Sequence, residues 1–284
     1  MGFKISLVVP TINRIEELNN LLLSLSEQEI DKSLFEVLVI DQNNTIQLDE
    51  MISQYQGNMD IKHFKVDFKG LSRAKNYGLR LAKYDIVSFP DDDCEYYPDT
   101  LKKVLDFFAS HTGEMSVYGK LYDRDRKADV IRRWPSQEVK VSFRNFQYTY
   151  SATTFFTRQK NMFFNESLGA GSAMVGGEEV DYLFRALKNN EGGTFDPKIE
   201  VWHPELNPYT MGNEKTFMYA RSHGAVIRLH LNPPIFWYFI KSCSFQIIQI
   251  MINALKFDFS KVRKRYLALK GRIVGFFVTI NACD

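Results

Sequence analysis

Ile86-Val87-Ser88-Phe89-Pro90-Asp91-Asp92-Asp93 (IVSFPDDD) is the stretch on which the reading of the fold turns. Ile86–Phe89 reads as a short strand, and three carboxylates follow directly after Pro90. In open parallel sheets, ligand sites lie just outside the carboxyl ends of the strands, so these acids stand where a site would be. Adjacent carboxylates repel one another unless a cation or a donor-rich ligand compensates. Hard divalent cations take oxygen ligands, and Mg²⁺ commonly uses one or two carboxylates plus substrate phosphates. Without the preceding strand the triplet would read as a solvated acidic loop.

Upstream, apolar β-rich runs alternate with helical patterns. Ile5–Val9 is a continuous apolar strand of the kind buried on both faces of a parallel sheet. Leu18, Leu21, Leu22 and Leu25 then recur at helical spacing. Phe35–Ile40 and Ile61–Val66 read as the second and third strands, and Leu71–Ala82 as a helix. Such alternation predicts βαβ units in an α/β fold, with a mostly parallel sheet flanked by helices. Asp41 ends the second strand; it could face a ligand, cap a helix or make an Asx turn. Lys69-Gly70-Leu71-Ser72-Arg73 is a glycine turn opening a helix, a place that can receive phosphate, although its cations could equally be surface charges.

Downstream, a helix is expected from Pro98 to Ser110, then strands at Met115–Tyr122 and Thr153–Thr157 separated by a charged loop, Asp123–Lys140. Glu178–Lys188 and Glu214–Leu231 read as helices, with Asn232-Pro233-Pro234 as a stop. The pattern divides the chain into residues 1–115, 116–231 and a helical extension, 232–284. Ile235–Leu255 carries one charge, Lys241, and is long enough to span a bilayer. Its Ser, Gln and Asn content leaves a buried helix or an interfacial helix as competing readings. Lys261, Arg263, Lys264 and Arg265 follow it, and apolar surface beside cations is what a peripheral contact with anionic membrane needs. The competing reading is a helical cap with a solvated basic face.

The chain has 284 residues, enough for a sizeable core, and a formal net charge of +2, which offers no global argument for nucleic-acid binding. Three cysteines, Cys94, Cys243 and Cys283, are too few and scattered for a disulfide framework or zinc cluster, so a reduced cytoplasmic setting is the default. The opening MGFKISLVVPTINR runs straight into a strand and does not read as a signal peptide.

Five segments in order give a more specific reading: Val8–Arg14 (VVPTINR), Val37–Asn44 (VLVIDQNN), Gly70–Leu79 (GLSRAKNYGL), Phe89–Asp93 (FPDDD) and Gly176–Arg185 (GGEEVDYLFR). Together they resemble the family 2 glycosyltransferases of the GT-A fold, over roughly residues 4–205. The resemblance implies transfer of a sugar from a nucleotide-sugar, most often a UDP-sugar, to an acceptor hydroxyl with Mn²⁺ or Mg²⁺. It places Pro10, Thr11 and Arg14 at the nucleotide, and Asp41 at the uracil N3–H. Arg73, with Lys69 as a weaker candidate, would contact nucleotide or diphosphate. Asp91 and Asp92 would hold ribose or sugar hydroxyls, and Asp93 would bind metal, with Asp91 and His203 as further ligand candidates.

At Gly176-Gly177-Glu178-Glu179, the resemblance implies that the second acid is the base, although this chain has Glu where the family has Asp. Glu179, Glu178 and Asp181 are the contenders; acids at a helix start also simply favour the helix dipole. Trp202 could stack on an acceptor sugar or belong to the core, and Gly177 lies in a glycine-rich segment that lets backbone approach a ligand. Pro204–Asn213 reads as a loop that could close over the donor. The expectation is an inverting transferase acting on a glycan or lipid-linked glycan of surface polysaccharide, at the cytoplasmic face of the membrane. The alternatives are a sugar nucleotidyltransferase, which would want a longer glycine-rich phosphate loop than VVPTINR, and a non-catalytic nucleotide-sugar-binding scaffold.

Overall fold

The computed structural model of the chain describes residues 2–205 and 209–280. In chain order the elements are β1 (Ile5–Thr11), α1 (Glu16–Ser26), β2 (Phe35–Asp41), α2 (Asp49–Ser53), β3 (Asp60–Lys65), α3 (Leu71–Leu81), β4 (Ile86–Ser88), β5 (Glu95–Tyr96), α4 (Thr100–Ser110), β6 (Ser116–Asp123), β7 (Ala128–Asp129), β8 (Val139–Lys140), α5 (Phe146–Thr149), β9 (Phe155–Thr157), α6 (Glu178–Lys188), β10 (Thr194–Trp202), α7 (Asn213–Leu229), α8 (Pro233–Leu255) and α9 (Phe259–Phe276). The expected strands and helices are present, with ends shifted by a residue or two. The segment expected as a plain loop, 123–140, carries the two-residue strands β7 and β8, and the strand expected from Thr153 starts at Phe155 after a 3₁₀ turn.

The main sheet runs β3-β2-β1-β4-β9-β6-β10-β5. Its first four strands are parallel, with Ile5–Thr11 facing Phe35–Asp41 residue for residue. β9 then runs antiparallel to both β4 and β6, while β10 returns parallel to β6. The sheet is therefore mixed, and the parallel run of its first four strands is the part that the strand–helix alternation predicts. Every residue of β1 and β2 is buried, which explains why their apolar runs are continuous rather than alternating. Leu18, Leu21, Leu22 and Leu25 of α1 are buried too, as their spacing predicts.

Packing divides the chain into two compact units, neither of them continuous in sequence. The first comprises residues 1–69, 73–163 and 186–205 and contains the sheet. The second comprises residues 70–72, 164–185 and 206–284, and so holds the start of α6 with α7, α8 and α9. In this second unit α9 lies hard against α7. A Cβ on Gly275 would collide with the carbonyl of Arg221, and one on Gly224 with the carbonyl of Arg272. α8 starts on Asn232, whose side chain accepts from the Ile235 amide at 3.0 Å, with prolines in the first turn. It packs on α9 through the stacked rings of Phe239 and Phe276, 4.6 Å apart. Much of its apolar surface faces outward: Trp237 is 60% exposed, Met251 61% and Leu255 80%.

One buried charge organises the parallel strands of the first unit. Glu36, fully buried in β2, accepts from the Ser6 hydroxyl at 2.7 Å, the Lys83 amide at 3.0 Å and the Lys62 ammonium at 3.0 Å. Burial would raise its pKa, but these donors outweigh it and leave the carboxyl below its ordinary 4.5. A depressed folded pKa stabilises the fold above the unfolded value and loses that contribution as pH falls through the folded one. Glu36→Gln should therefore unfold at lower urea than the parent at pH 7, by about 2–3 kcal/mol. The gap should narrow as unfolding is repeated toward pH 3; a gap constant with pH would show that the charge is immaterial.

Candidate active site

β1 and β2 end in register at Thr11 and Asp41, and Asp91–Asp93 follow β4, on the other side of β1. The site thus assembles at the carboxyl ends of three adjacent parallel strands. The Thr11 hydroxyl donates to Asp92 Oδ2 at 2.8 Å, and the Thr153 hydroxyl to Asp91 Oδ2 at 2.8 Å. Arg14 forms an ion pair with Asp93 and lies 3.4 Å from Asp92 Oδ1. His203 follows β10, which pairs antiparallel with β5, and this pairing returns the histidine to the acids just ahead of β5. Its Nε2 lies 3.5 Å from Asp93 Oδ1, while Nδ1–H donates to the Pro204 carbonyl at 2.8 Å.

These contacts split the three acids electrostatically. Burial raises Asp92 to about 6, against the pull of Thr11 and Arg14 and helped by the neighbouring Asp93 and Asp91 charges. Burial pushes Asp93 upward as well, but hydrogen bonds from His203 and Arg14 outweigh it and hold the carboxyl at about 2. For His203, burial works against protonation, and Asp93 with the Pro204 carbonyl reverses it, so its pKa is raised.

Asp91, Asp93 and His203 offer ligand atoms that all lie within 4.8 Å of one another. Two carboxylates and an imidazole suit Mn²⁺, which accepts nitrogen more readily than Mg²⁺. The Nδ1–H bond to a carbonyl is the kind of support that orients a ligating histidine and leaves Nε2 to face the metal. That a guanidinium already binds Asp93 shows that the cluster calls for positive charge. The residues present fit a divalent cation.

Asp41 is fully buried. Its Oδ1 accepts from both the amide (2.8 Å) and the side-chain amide (2.7 Å) of Asn43, and its Oδ2 lies 3.0 Å from His63 Nε2. The other ring nitrogen of His63 is 3.1 Å from Asp49. Asn43 Oδ1 in turn accepts from the Asn13 amide at 2.7 Å, where Asn13 adopts a left-handed φ of 58°. Asp41 therefore ties the turn after β1 to the turn after β2, and Asn43 and His63 stand around it. Pro10, opposite Ile40, completes the strand end. Lys69 binds the Gln42 carbonyl and lies 3.0 Å from Asn44 Oδ1, so it braces the same loop. Arg73 is exposed and stacks over Phe68, 4.2 Å from the ring centre. Trp202 is half-buried in β10.

In the second unit the acids opening α6 have different surroundings. Asp181 is fully buried; Arg185 donates to one oxygen at 3.0 Å, and His230 Nε2 lies 2.7 Å from the other. Glu178 is buried beside Gly169, where a Cβ would come within 3.2 Å of its carboxyl carbon. Glu179 is half-buried. Gly177 has a φ of 94° and abuts Val226 of α7, so its place at the helix start has a conformational and packing reason. The Ser72 hydroxyl donates to the Leu168 carbonyl at 2.6 Å, and the Leu71 amide to Ala170 at 2.9 Å, so one amide at the start of α3 is already occupied. Of the loop expected to close over the donor, residues 206–208 lie outside the described residues.

His63, Thr153 and Asn43 are the residues that the sequence did not single out. A strand histidine one strand away from a terminal aspartate was the available signal for His63. Thr153 had none, because its link to Asp91 spans 62 positions.

The family model of Glycosyl transferase family 2 matches residues 6–180, and the chain belongs to this family. It is 30% identical over 114 residues to the poly(ribitol-phosphate) beta-N-acetylglucosaminyltransferase TarS of Staphylococcus aureus, a match covering 39% of this chain and 20% of that protein. It is 36% identical over 99 residues to the hyaluronan synthase of Pasteurella multocida, covering 34% of this chain and 10% of that one. The matches thus take in a fifth or less of those longer relatives. Among solved structures, S. aureus TarS 1–349 in complex with UDP superposes with a TM-score of 0.61 at 19% identity, covering 96% of this chain and 92% of that one. The mannosyltransferase PcManGT from Pyrobaculum calidifontis, in complex with GDP-Man and Mn²⁺, gives 0.59 at 14% identity, covering 97% and 74%. At such identities the likeness is one of fold, and the fold is GT-A.

Mn²⁺ titrated into the full chain, with the free ion followed by electron paramagnetic resonance, should bind saturably. His203→Ala should weaken binding by on the order of tenfold or more, and Asp93→Ala by more still. Equal binding by the parent and both variants would remove these residues from the metal site.

Proposed function

We propose that this chain is a metal-dependent, inverting glycosyltransferase that moves a sugar from a nucleotide-sugar, a UDP-sugar, to a hydroxyl of a glycan or lipid-linked glycan in surface polysaccharide synthesis. The observation that carries this reading is the cluster of Asp91, Asp93, His203 and Arg14 at the carboxyl ends of the parallel strands of a family 2 chain. The TarS and hyaluronan synthase likenesses support the polysaccharide setting and a UDP-linked donor.

In this proposal Pro10, Thr11 and Asp41, with Asn43 and His63, form the nucleotide end of the site. Arg14, once released from Asp93, is a cation for the diphosphate, with Lys69 and Arg73 as further cations at the strand ends. Asp91, Asp93 and His203 hold Mn²⁺ or Mg²⁺, which supplies Lewis-acid stabilisation of the charge that develops on the leaving nucleotide. Asp92, hydrogen-bonded to Thr11, is left to hold ribose or sugar hydroxyls.

Glu179 is the proposed general base, and Glu178 the second candidate. The base takes the proton of the acceptor hydroxyl as that oxygen bonds the anomeric carbon. The bond from that carbon to the phosphate oxygen breaks, and its electron pair leaves with UDP. Asp181 is assigned a supporting role, since both its oxygens already serve Arg185 and His230. Trp202 and Gly177 are carried as acceptor-side candidates.

With a panel of UDP-sugars and Mn²⁺, the chain should release UDP in the presence of a suitable acceptor. Asp93→Ala and Glu179→Ala should each lower kcat by roughly a hundredfold or more while donor binding survives in Glu179→Ala. Metal and nucleotide binding without turnover, across a broad acceptor panel, would favour a binding scaffold instead.

We also propose a cytoplasmic location with α8 in peripheral contact with anionic membrane. α8 is long and apolar enough to span by length and composition alone, with 17% of its most apolar stretch buried. Lying beside basic α9, its exposed Trp237, Met251 and Leu255 suit interfacial binding. Trp237→Glu with Met251→Glu should abolish cosedimentation with phosphatidylglycerol vesicles while leaving UDP binding intact. Unchanged cosedimentation would make the α8 face a cap or an oligomer surface.

A further inference from the structure

Between α7, α8 and α9 lies a cavity of about 220 Å³. It is walled by His223 of α7, Gln246 of α8 and Lys264, Arg265 and Arg272 of α9. Every one of these residues belongs to the second unit, so the cavity shares no residue with the metal cluster of the sheet. Among the described residues no carboxylate lines it.

The cations are held by neutral groups. Lys264 donates to the carbonyls of Tyr209 and Met211, and Arg265 to the Tyr209 hydroxyl at 3.2 Å. Arg272 donates from Nη1 to the Ala268 carbonyl at 3.0 Å, but its buried Nε has no acceptor among the described residues. His223 has Nε2 3.0 Å from the Tyr238 hydroxyl, and its buried Nδ1 has no partner among the described residues. Burial first, and the Arg272 charge second, push His223 down to about 3, so the ring is neutral at pH 7. With Tyr238 donating to Nε2, Nδ1–H becomes a second donor without an acceptor.

A buried donor with no acceptor costs free energy, and a buried cation with no anion costs more. Here both occur at one cavity, and the glycine-mediated contact of α7 with α9 fixes the helices that carry them. The complement is a ligand that only accepts hydrogen bonds, carries more than one negative charge and spreads its oxygens over several directions. A phosphate group has these properties, and guanidinium forks match its oxygens. A planar carboxylate would engage one guanidinium and leave the other donors unmet.

We propose that the α7–α9 cavity is a binding site for the phosphate group of a phosphomonoester. The site stands apart from the donor assignment, because none of its residues takes part in that one.

The test is thermal unfolding of the full chain titrated with inorganic phosphate and with glycerol 3-phosphate, against chloride and acetate at equal ionic strength. Saturating UDP is present throughout, so that phosphate binding at a nucleotide site is already satisfied. Both phosphates should raise Tm saturably, and Arg265→Gln and Arg272→Gln should each weaken the apparent affinity by about tenfold. Arg265→Lys should recover part of it. If Arg272→Gln does not fold by circular dichroism, the Arg265 pair decides. Response to glycerol 3-phosphate well beyond inorganic phosphate would identify the phosphate of a larger molecule as the ligand. A response equalled by chloride or acetate, or unchanged in Arg265→Gln, would overturn the proposal. Binding confined to phosphatidylglycerol vesicles, with no response to either small phosphate, would also overturn it.

Discussion

The crowding of three carboxylates after one short strand is the constraint on which the rest of the candidate site depends. Asp91, Asp92 and Asp93 cannot share a partly buried corner as bare anions. The fold answers with donors from four separate places: Thr11 at the end of β1, Arg14 just beyond it, Thr153 ahead of β9, and His203 after β10. Each of these elements must be in register for its donor to arrive. The strand order, with β1 beside β4 and β10 beside β5, is thus also an arrangement for compensating charge. The unequal result, one acid raised and one depressed, separates a carboxyl suited to hydrogen bonding from one suited to a cation.

A second organising feature is the difference between the two compact units. The first unit places its buried and partly buried acids on a sheet: Glu36 at one end of the parallel strands and the acid cluster at the other. The second is helical, with α7 and α9 brought together by glycines and α8 exposing apolar side chains. The cations that wall its cavity, Lys264, Arg265 and Arg272, are engaged by carbonyls and a hydroxyl, while in the first unit Lys62, Arg14 and Arg124 meet carboxylates.

Much of the first unit was legible because local pattern and tertiary demand agree. The apolar runs of β1 and β2 are buried on both faces, and the leucine spacing of α1 matches its packed face. The acid triplet stood out because it follows a strand, and His203 only through the family resemblance; the structure brings His203 to Asp93 by way of β10. What the sequence left hidden are partners fixed by register. His63 reaches Asp41 because β3 lies beside β2 with His63 opposite Val39, two residues along the same face from Asp41. Glu36 read as one charge within a strand, yet Ser6, Lys62 and Lys83 converge on it from three elements. The grouping of residues 164–185 with the C-terminal helices was hidden likewise, since it follows from packing that no local pattern encodes.

The ion pair of Arg14 with Asp93 has a consequence for biogenesis. Where acids in a site rely on an external cation, the chain must find that ion before its native state becomes favourable, and folding becomes hostage to supply. Here Arg14, three residues past the end of β1, serves as counter-ion, so the corner is electrically tolerable from the moment the sheet forms. A cation arriving at these acids would thus exchange one positive charge for another. The fold of this corner is thereby uncoupled from any supply of divalent ions.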